Sequence, residues 1–287
     1  MPKPQYPCRT CGTGICPNTK RHVLDSPSCP DNAPSPQNTS HDDRVRVSQL
    51  VLPPVEDCTY DSTVVTLTDR NYEAGAALLL RSVRRVHPSC KVLVYTLDDP
   101  SSSMMSMAES LSVDLVPFRP SFEYRGQGWQ TFGKPEVVAN VLEFFPDVTW
   151  IDADAIVVRS LDGMPNPCWP DHVYHLPVHE SAWPGVQSPN AGIFRVDSSE
   201  AEFIDEWRER CERAVRVDPL ALPYYDQGIL DVMLAERRVL LEDGRQWTDF
   251  RPFRETDPQA FIAEVFDRNS RIVHLGDRQR PWQDWTV

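Results

Sequence analysis

The 287-residue chain has no long hydrophobic run. Its longer apolar stretches, such as Ala76-Ala77-Leu78-Leu79-Leu80, fall far short of the roughly 20 residues a membrane-spanning helix needs, so no transmembrane segment is expected. The N-terminal residues Met1-Pro2-Lys3-Pro4-Gln5-Tyr6-Pro7 lack the apolar core of a secretory signal, and a cytoplasmic location with reduced thiols is expected. Positive charge is scarce as well. Lys and Arg number 29 against 42 Asp and Glu, a net charge of −13 with a pI near 5.0. Nothing supplies the broad basic face that a phosphate backbone requires, which excludes nucleic acid as a partner. A small phosphorylated ligand stays compatible if a metal ion or a local cationic pocket receives it. The 40% hydrophobic and 25% charged composition is that of an ordinary globular protein with a sizeable core.

Proline is plentiful, and ten of the 27 fall in the first 55 residues, where hydrophobic periodicity is missing. Residues 1–55 are therefore read as a Pro/Cys-rich extension and residues 56–287 as the folded domain. Four of the eight cysteines, Cys8, Cys11, Cys16 and Cys29, sit in this extension. A C-x2-C turn can place two thiolates on a tetrahedral Zn²⁺, and the later cysteines could complete its shell. A disulfide pair or free thiols are the alternatives. Cys58, Cys90, Cys168 and Cys211 are scattered and read as small packed residues.

From residue 62 the pattern changes. Residues 62–67, 91–97, 113–118 and 148–151 read as strands, and residues 71–86, 102–111 and 134–145 as helices. Pro88 and Pro146 stop two of those helices. Strand and helix alternate at short spacing, which predicts an α/β domain with a mostly parallel sheet and helices on both faces. In such sheets ligands bind beyond the carboxyl ends of the strands. The residues there include Thr66-Leu67-Thr68-Asp69, Asp98-Asp99 and Asp152-Ala153-Asp154. The last is the chief chemical signal. Carboxylates two apart in extended backbone point to one side and can converge on a hard divalent cation such as Mg²⁺ or Mn²⁺. The bland alternative is a pair of turn carboxylates.

These segments resemble the GT-A fold glycosyltransferases, and among them the retaining, glycogenin-like (family 8) group that uses UDP-sugars. The likeness runs through most of residues 60–283. It is carried by Thr63-Val64-Val65-Thr66-Leu67-Thr68 with Tyr72, by Lys134, by Asp152-Ala153-Asp154, by Asn190-Ala191-Gly192-Ile193-Phe194, by Asp226-Gln227-Gly228-Ile229-Leu230-Asp231, and by His274 through Trp282. Arg280 stands where relatives carry Lys, and Gly276 is displaced by one position. The resemblance implies a GT-A, nucleotide-diphospho-sugar transferase fold. It implies metal ligation by Asp152, Asp154 and His274. It implies donor binding by Thr66, Leu67, Thr68, Tyr72, Lys134, Ala153, Gly276 and Arg280, and steadying of the sugar by Asn190, Asp226 and Gln227. Residue by residue, Tyr72 could instead pack on the sheet, Lys134 could be a solvated helix start, Asn190 a turn residue and Asp226 a helix cap.

The expected activity is metal-dependent transfer of a hexose from a nucleotide-sugar to an acceptor hydroxyl, with retention. The acceptor could be a glycan, peptide, lipid or small molecule. Two rivals stand beside it. One is a non-catalytic GT-A-like binding module with the Cys-rich tail as a docking element. The other is a HAD-type phosphatase, in which D-x-D normally follows the first strand, whereas here it follows about the fourth.

Overall fold

A computed structural model describes residues 60–122, 129–171, 189–217, 225–250 and 270–274. The chain divides into two units, Met1–Arg44 and Val45–Val287, and every described residue belongs to the second. The extension boundary near residue 55 and the cysteines at 8, 11, 16, 29 and 58 lie outside the described residues.

Five strands form the main sheet: β1 (Thr63–Thr68), β2 (Val92–Thr96), β3 (Asp114–Pro117), β4 (Asp147–Ile151) and β6 (Ile193–Asp197), in the order β3-β2-β1-β4-β6. β1, β2, β3 and β4 run parallel, and β6 closes one edge antiparallel to β4. β1 and β2 are buried on both faces, which is why they read as near-continuous β-branched runs rather than alternating ones. Alternate residues of each strand feed two separate cores. Val64, Val92, Val94 and Ile151 face α1 (Glu73–Val86) and α2 (Ser102–Ser110). Val65, Leu93, Tyr95, Val148 and Trp150 face α3 (Lys134–Leu142), α4 (Ala201–Val217) and α5 (Asp226–Arg237). The layering expected from sequence is therefore present, with element ends shifted by up to three residues, the largest at the end of α3. Cys90, Cys168 and Cys211 are buried free thiols.

A second, smaller sheet extends from the D-A-D segment. β5 (Ala155–Val157) pairs antiparallel with β8 (Ile272–His274), which pairs parallel with β7 (Thr248–Phe250). A short helix, α6 (Gly244–Trp247), leads straight into β7 and is capped by the Asp243 carboxylate, which accepts from Arg245 N at 3.0 Å. His274 is thus the last residue of a strand, not the residue after it.

The end of the main sheet opposite the D-A-D segment is tied by a polar cluster. Arg195 Nε and Nη2 donate to Asp147 Oδ2 at 3.0 and 2.7 Å, and Asn166 Nδ2 donates to the same oxygen at 2.6 Å. The Ser62 hydroxyl also donates to Asp147. Tyr60 OH shares a 2.7 Å hydrogen bond with Thr149 Oγ1, and the Arg195 guanidinium lies 5.5 Å from the Tyr60 ring. Burial pushes the Tyr60 phenol up to about 12, so it stays protonated throughout the working range. The cluster joins β1, β4, β6 and the residue 164–168 segment, and it fixes the register that carries Asp152 to its place. Asp147→Ala should cost about 2–3 kcal/mol, because it removes a charged acceptor and leaves Arg195 part-buried without its anion. Urea unfolding should show a lower midpoint at unchanged slope.

Candidate functional site

The site is assembled where β4 ends. Ile151 pairs with Ile193 across the antiparallel β4–β6 edge, and the next step places Asp152 opposite Gly192, with Asp152 N donating to Gly192 O at 2.8 Å. The backbone then turns, as Ala155 N donates back to Asp152 O at 3.1 Å. This corrects the expectation of an extended D-x-D pair. The carboxylates do not converge through strand alternation. They converge because the turn feeds β5, whose first residue Ala155 is paired with His274 of β8. That pairing brings His274 Nε2 to 3.0 Å from Asp154 Oδ1 and 3.9 Å from Asp152 Oδ2.

Asp152, Asp154 and His274 each offer a ligand atom, and these atoms lie within 4.8 Å of one another. Two observations fit a divalent cation to them. First, the backbone approaches so closely that a Cβ on Gly192 would stand 2.5 Å from His274 Cε1 and 2.8 Å from Asp152 Oδ2. Only glycine leaves Asp152 and His274 room to meet. Second, Asp152, Asp154 and Asp226 set three carboxylates against the single ammonium of Lys134. The two negative charges left over equal the charge of one divalent ion. An imidazole with two carboxylates suits Mn²⁺ at least as well as Mg²⁺.

Without an ion, a proton on His274 offsets one of those two charges. Burial works against charging the ring, but Asp154 and then Asp152 raise its pKa above the ordinary histidine value. Burial likewise opposes charge on Asp154, yet neighbouring His274 holds its pKa below the usual carboxylate value.

Lys134 opens α3 and is buried, although a cation at a helix N-terminus is disfavoured by the helix dipole. Its Nζ sits 3.1 Å from Asp152 Oδ1, 3.1 Å from Asp226 Oδ2, and donates to Ala191 O at 2.7 Å. It is no solvated helix start. Desolvation disfavours its charge, but Asp152 and Asp226 more than offset that, and its pKa is raised. Asp226 is also raised, by burial first. Lys134 offsets this only in part, because the same ammonium serves Asp152.

Asp226 is the first residue of α5 and not its cap. The cap position is Tyr225, which holds φ 55° and ψ −120°. Those are the angles of the first central residue of a type II′ turn, a place that normally takes glycine. Its ring meets Phe132 edge-on, with centroids 6.0 Å apart, and Trp207 Nε1 donates to Asp226 O at 3.2 Å. The strained entry and these two aromatic contacts aim the Asp226 carboxylate inward at Lys134.

Asn190 does form a turn, its Oδ1 accepting from Gly192 N at 2.9 Å, and this turn delivers Gly192 to the ligand group. Its buried Nδ2 has no acceptor among the described residues. Gln227 Oε1 accepts from Ala191 N at 3.4 Å. Thr66, Leu67 and Thr68 form the carboxyl end of β1, where the buried Thr66 hydroxyl has no hydrogen-bond partner among the described residues. Tyr72 packs against the α1-side core, of which Ala153 is a buried member. Gly276 and Arg280 lie outside the described residues. Neither Trp150, whose Nε1 donates to Asp152 Oδ1 at 2.6 Å, nor Gly192 stands out from the sequence as a site residue. The signal for Gly192 was its place in the Asn190-Ala191-Gly192 segment; the Trp150 indole gave none, since it reads as a core residue of a strand.

No family model and no curated protein sequence matches the chain. Solved structures do. The chain resembles the glycosyltransferase GlyE of Streptococcus pneumoniae TIGR4 at a TM-score of 0.52 and 17% identity, over 80% of this chain and 58% of that one. It thus spans less than two thirds of that protein's length. It resembles an active-site mutant of LgtC at a TM-score of 0.50 and 17% identity, over 75% of this chain and 87% of that one. At such identity the likeness shows the fold, and the fold is the GT-A fold.

Gly192→Ala should weaken Mn²⁺ binding by about 100-fold or more, since the added methyl strikes two ligands directly rather than a supporting residue. The far-ultraviolet circular dichroism spectrum should stay that of the parent. Calorimetric titration with Mn²⁺ checks the first expectation.

Proposed function

We propose that the protein is a metal-dependent glycosyltransferase that moves a hexose from a nucleotide-sugar, a UDP-sugar in this reading, to an acceptor hydroxyl with retention. The observation that carries the proposal is the Asp152–Asp154–His274 group, joined through Lys134 to Asp226, at the carboxyl end of a GT-A sheet. D-A-D follows the fourth strand, which agrees with this reading and not with a HAD-type phosphatase.

A divalent cation held by Asp152, Asp154 and His274 would offset the charge that builds on a departing diphosphate. The chain's own residues do the rest. Thr66, Leu67 and Thr68 at the carboxyl end of β1, with Tyr72 ahead of α1 and Ala153, receive the uridine. Lys134 fixes Asp152 on the phosphate side and Asp226 on the sugar side with one ammonium, so the two halves of the donor are held in a set relation. The unpartnered Asn190 Nδ2 is a buried donor suited to a sugar hydroxyl, and Asp226 is a buried acceptor for another. Gln227 steadies the same group through Ala191. Gly276 and Arg280 are assigned to the diphosphate on resemblance alone. In the transfer, the bond from C1 to the diphosphate oxygen breaks and its electron pair leaves with the diphosphate. The acceptor oxygen bonds to C1 on the same face, and its proton passes to the departing oxygen.

The acceptor lies open between glycan, peptide, lipid and small molecule, and zinc in the Cys8, Cys11, Cys16, Cys29 quartet is a separate proposal that metal analysis of the full chain tests. A panel of nucleotide-sugars with Mn²⁺ should yield UDP release from at least one donor and none after chelation. Asp154→Asn should lower that rate about 10²–10³-fold. Nucleotide binding without turnover of any donor would overturn the reading.

A further inference from the structure

Asp152 has two carboxylate oxygens with different surroundings. Oδ2 faces His274, at 3.9 Å, and would touch any side chain added at Gly192. Oδ1 faces the other way. It accepts a 2.6 Å hydrogen bond from Trp150 Nε1 and lies 3.1 Å from Lys134 Nζ. Trp150 and Asp152 are two residues apart at the end of β4, so both side chains leave the sheet on one face, and a bond between them needs no long-range coincidence. The indole is 1% exposed. It is stacked on Phe194 with ring centroids 6.2 Å apart at 8°, and Lys134 Nζ lies 5.4 Å from its ring centroid. The ring cannot turn away without breaking into the α3–α4–α5 core. An indole N–H is a donor only, so it fixes an oxygen and never competes for a cation.

We propose that Trp150 is a positioning residue for the cation ligand Asp152. Its N–H, with Lys134, occupies Oδ1 and so leaves Oδ2 as the one ligating atom. The carboxylate is held in one rotation, as a single-oxygen ligand, before any ion arrives. A phenylalanine would fill the strand equally well but could not do this. The inference rests on the reading of Asp152, Asp154 and His274 as a cation site. It adds a residue that neither the D-A-D pattern nor the fold assigns.

Trp150→Phe keeps an aromatic ring in the core and removes the N–H. Calorimetric titration of chelator-treated protein with Mn²⁺ should give a dissociation constant 10–100-fold above the parent, the range seen for partners that orient a ligand. Trp169→Phe is the control for general loosening. Trp169 packs in the same aromatic cluster, 5.0 Å from Phe194, and touches no ligand, so its variant should bind Mn²⁺ within about twofold of the parent. In the metal-free parent, the Trp150 indole proton, assigned by its loss in Trp150→Phe, should resonate downfield, and Asp152→Ala should move it upfield. If Trp150→Phe binds Mn²⁺ as the parent does, or weakens no more than Trp169→Phe, the positioning role is wrong while the cation site stands. An indole resonance indifferent to Asp152→Ala would overturn the role as well. No Mn²⁺ binding by the parent would overturn the cation reading itself, and with it this inference.

Discussion

The ammonium of Lys134, buried among Asp152, Asp226 and the Ala191 carbonyl, is the interaction on which the site depends. An isolated charge in a protein interior is costly, and it persists only when opposite charges and hydrogen bonds surround it. Here one cation draws together three chain segments: the turn after β4, the Asn190 turn at Ala191 and the first residue of α5. Each segment alone would place an uncompensated charge or an idle carbonyl at the end of the sheet. Together they form a compact group that is still short of positive charge. Burial first, and that shortfall second, raise Asp226 although it touches a cation, and Asp154 and His274 lean on each other.

The scaffold meets this demand by close backbone approach. Gly192 permits Asp152 and His274 to meet, and the Asn190 turn puts Gly192 there. Antiparallel pairing of β5 with β8 brings His274 to Asp154 across more than a hundred residues of sequence. Tyr225 takes a conformation suited to glycine and keeps a ring that packs on Phe132. Strain at such a residue is stable only where the surroundings over-determine it. The Arg195–Asp147 cluster at the far end of the sheet holds the register of β4 and β6 and so supports the site from a distance.

The layered fold was legible because burial writes itself into local pattern: continuous β-branched runs for strands covered on both faces, three-to-four spacing for α1. The D-A-D pair was legible for the same reason, since charges directly after an apolar strand stand out. Its geometry was not, because the convergence depends on a turn and on pairing with β8. Lys134 could be read two ways until α5 was seen to cover it. Asn190 could be read as a turn residue or a site residue, and it makes the turn while its amide nitrogen stays unpartnered. Trp150 was invisible as a site residue. A tryptophan in an apolar strand signals core, and its hydrogen bond is a matter of ring direction, which no spacing encodes. Nothing in the described residues bears on the Cys-rich extension.

The claim at the centre is that Lys134 binds the Asp152 and Asp226 carboxylates into one unit before any ligand arrives. A double-mutant cycle on metal-free protein tests it most directly: Lys134→Met, Asp226→Asn and the pair, each followed by urea unfolding. Lys134→Met alone should cost about 3–5 kcal/mol, as expected when a buried ion loses its partner. Asp226→Asn in that background should recover part of the loss, giving a coupling energy of about 1–3 kcal/mol. Additive effects, with coupling below about 0.5 kcal/mol, would contradict the account.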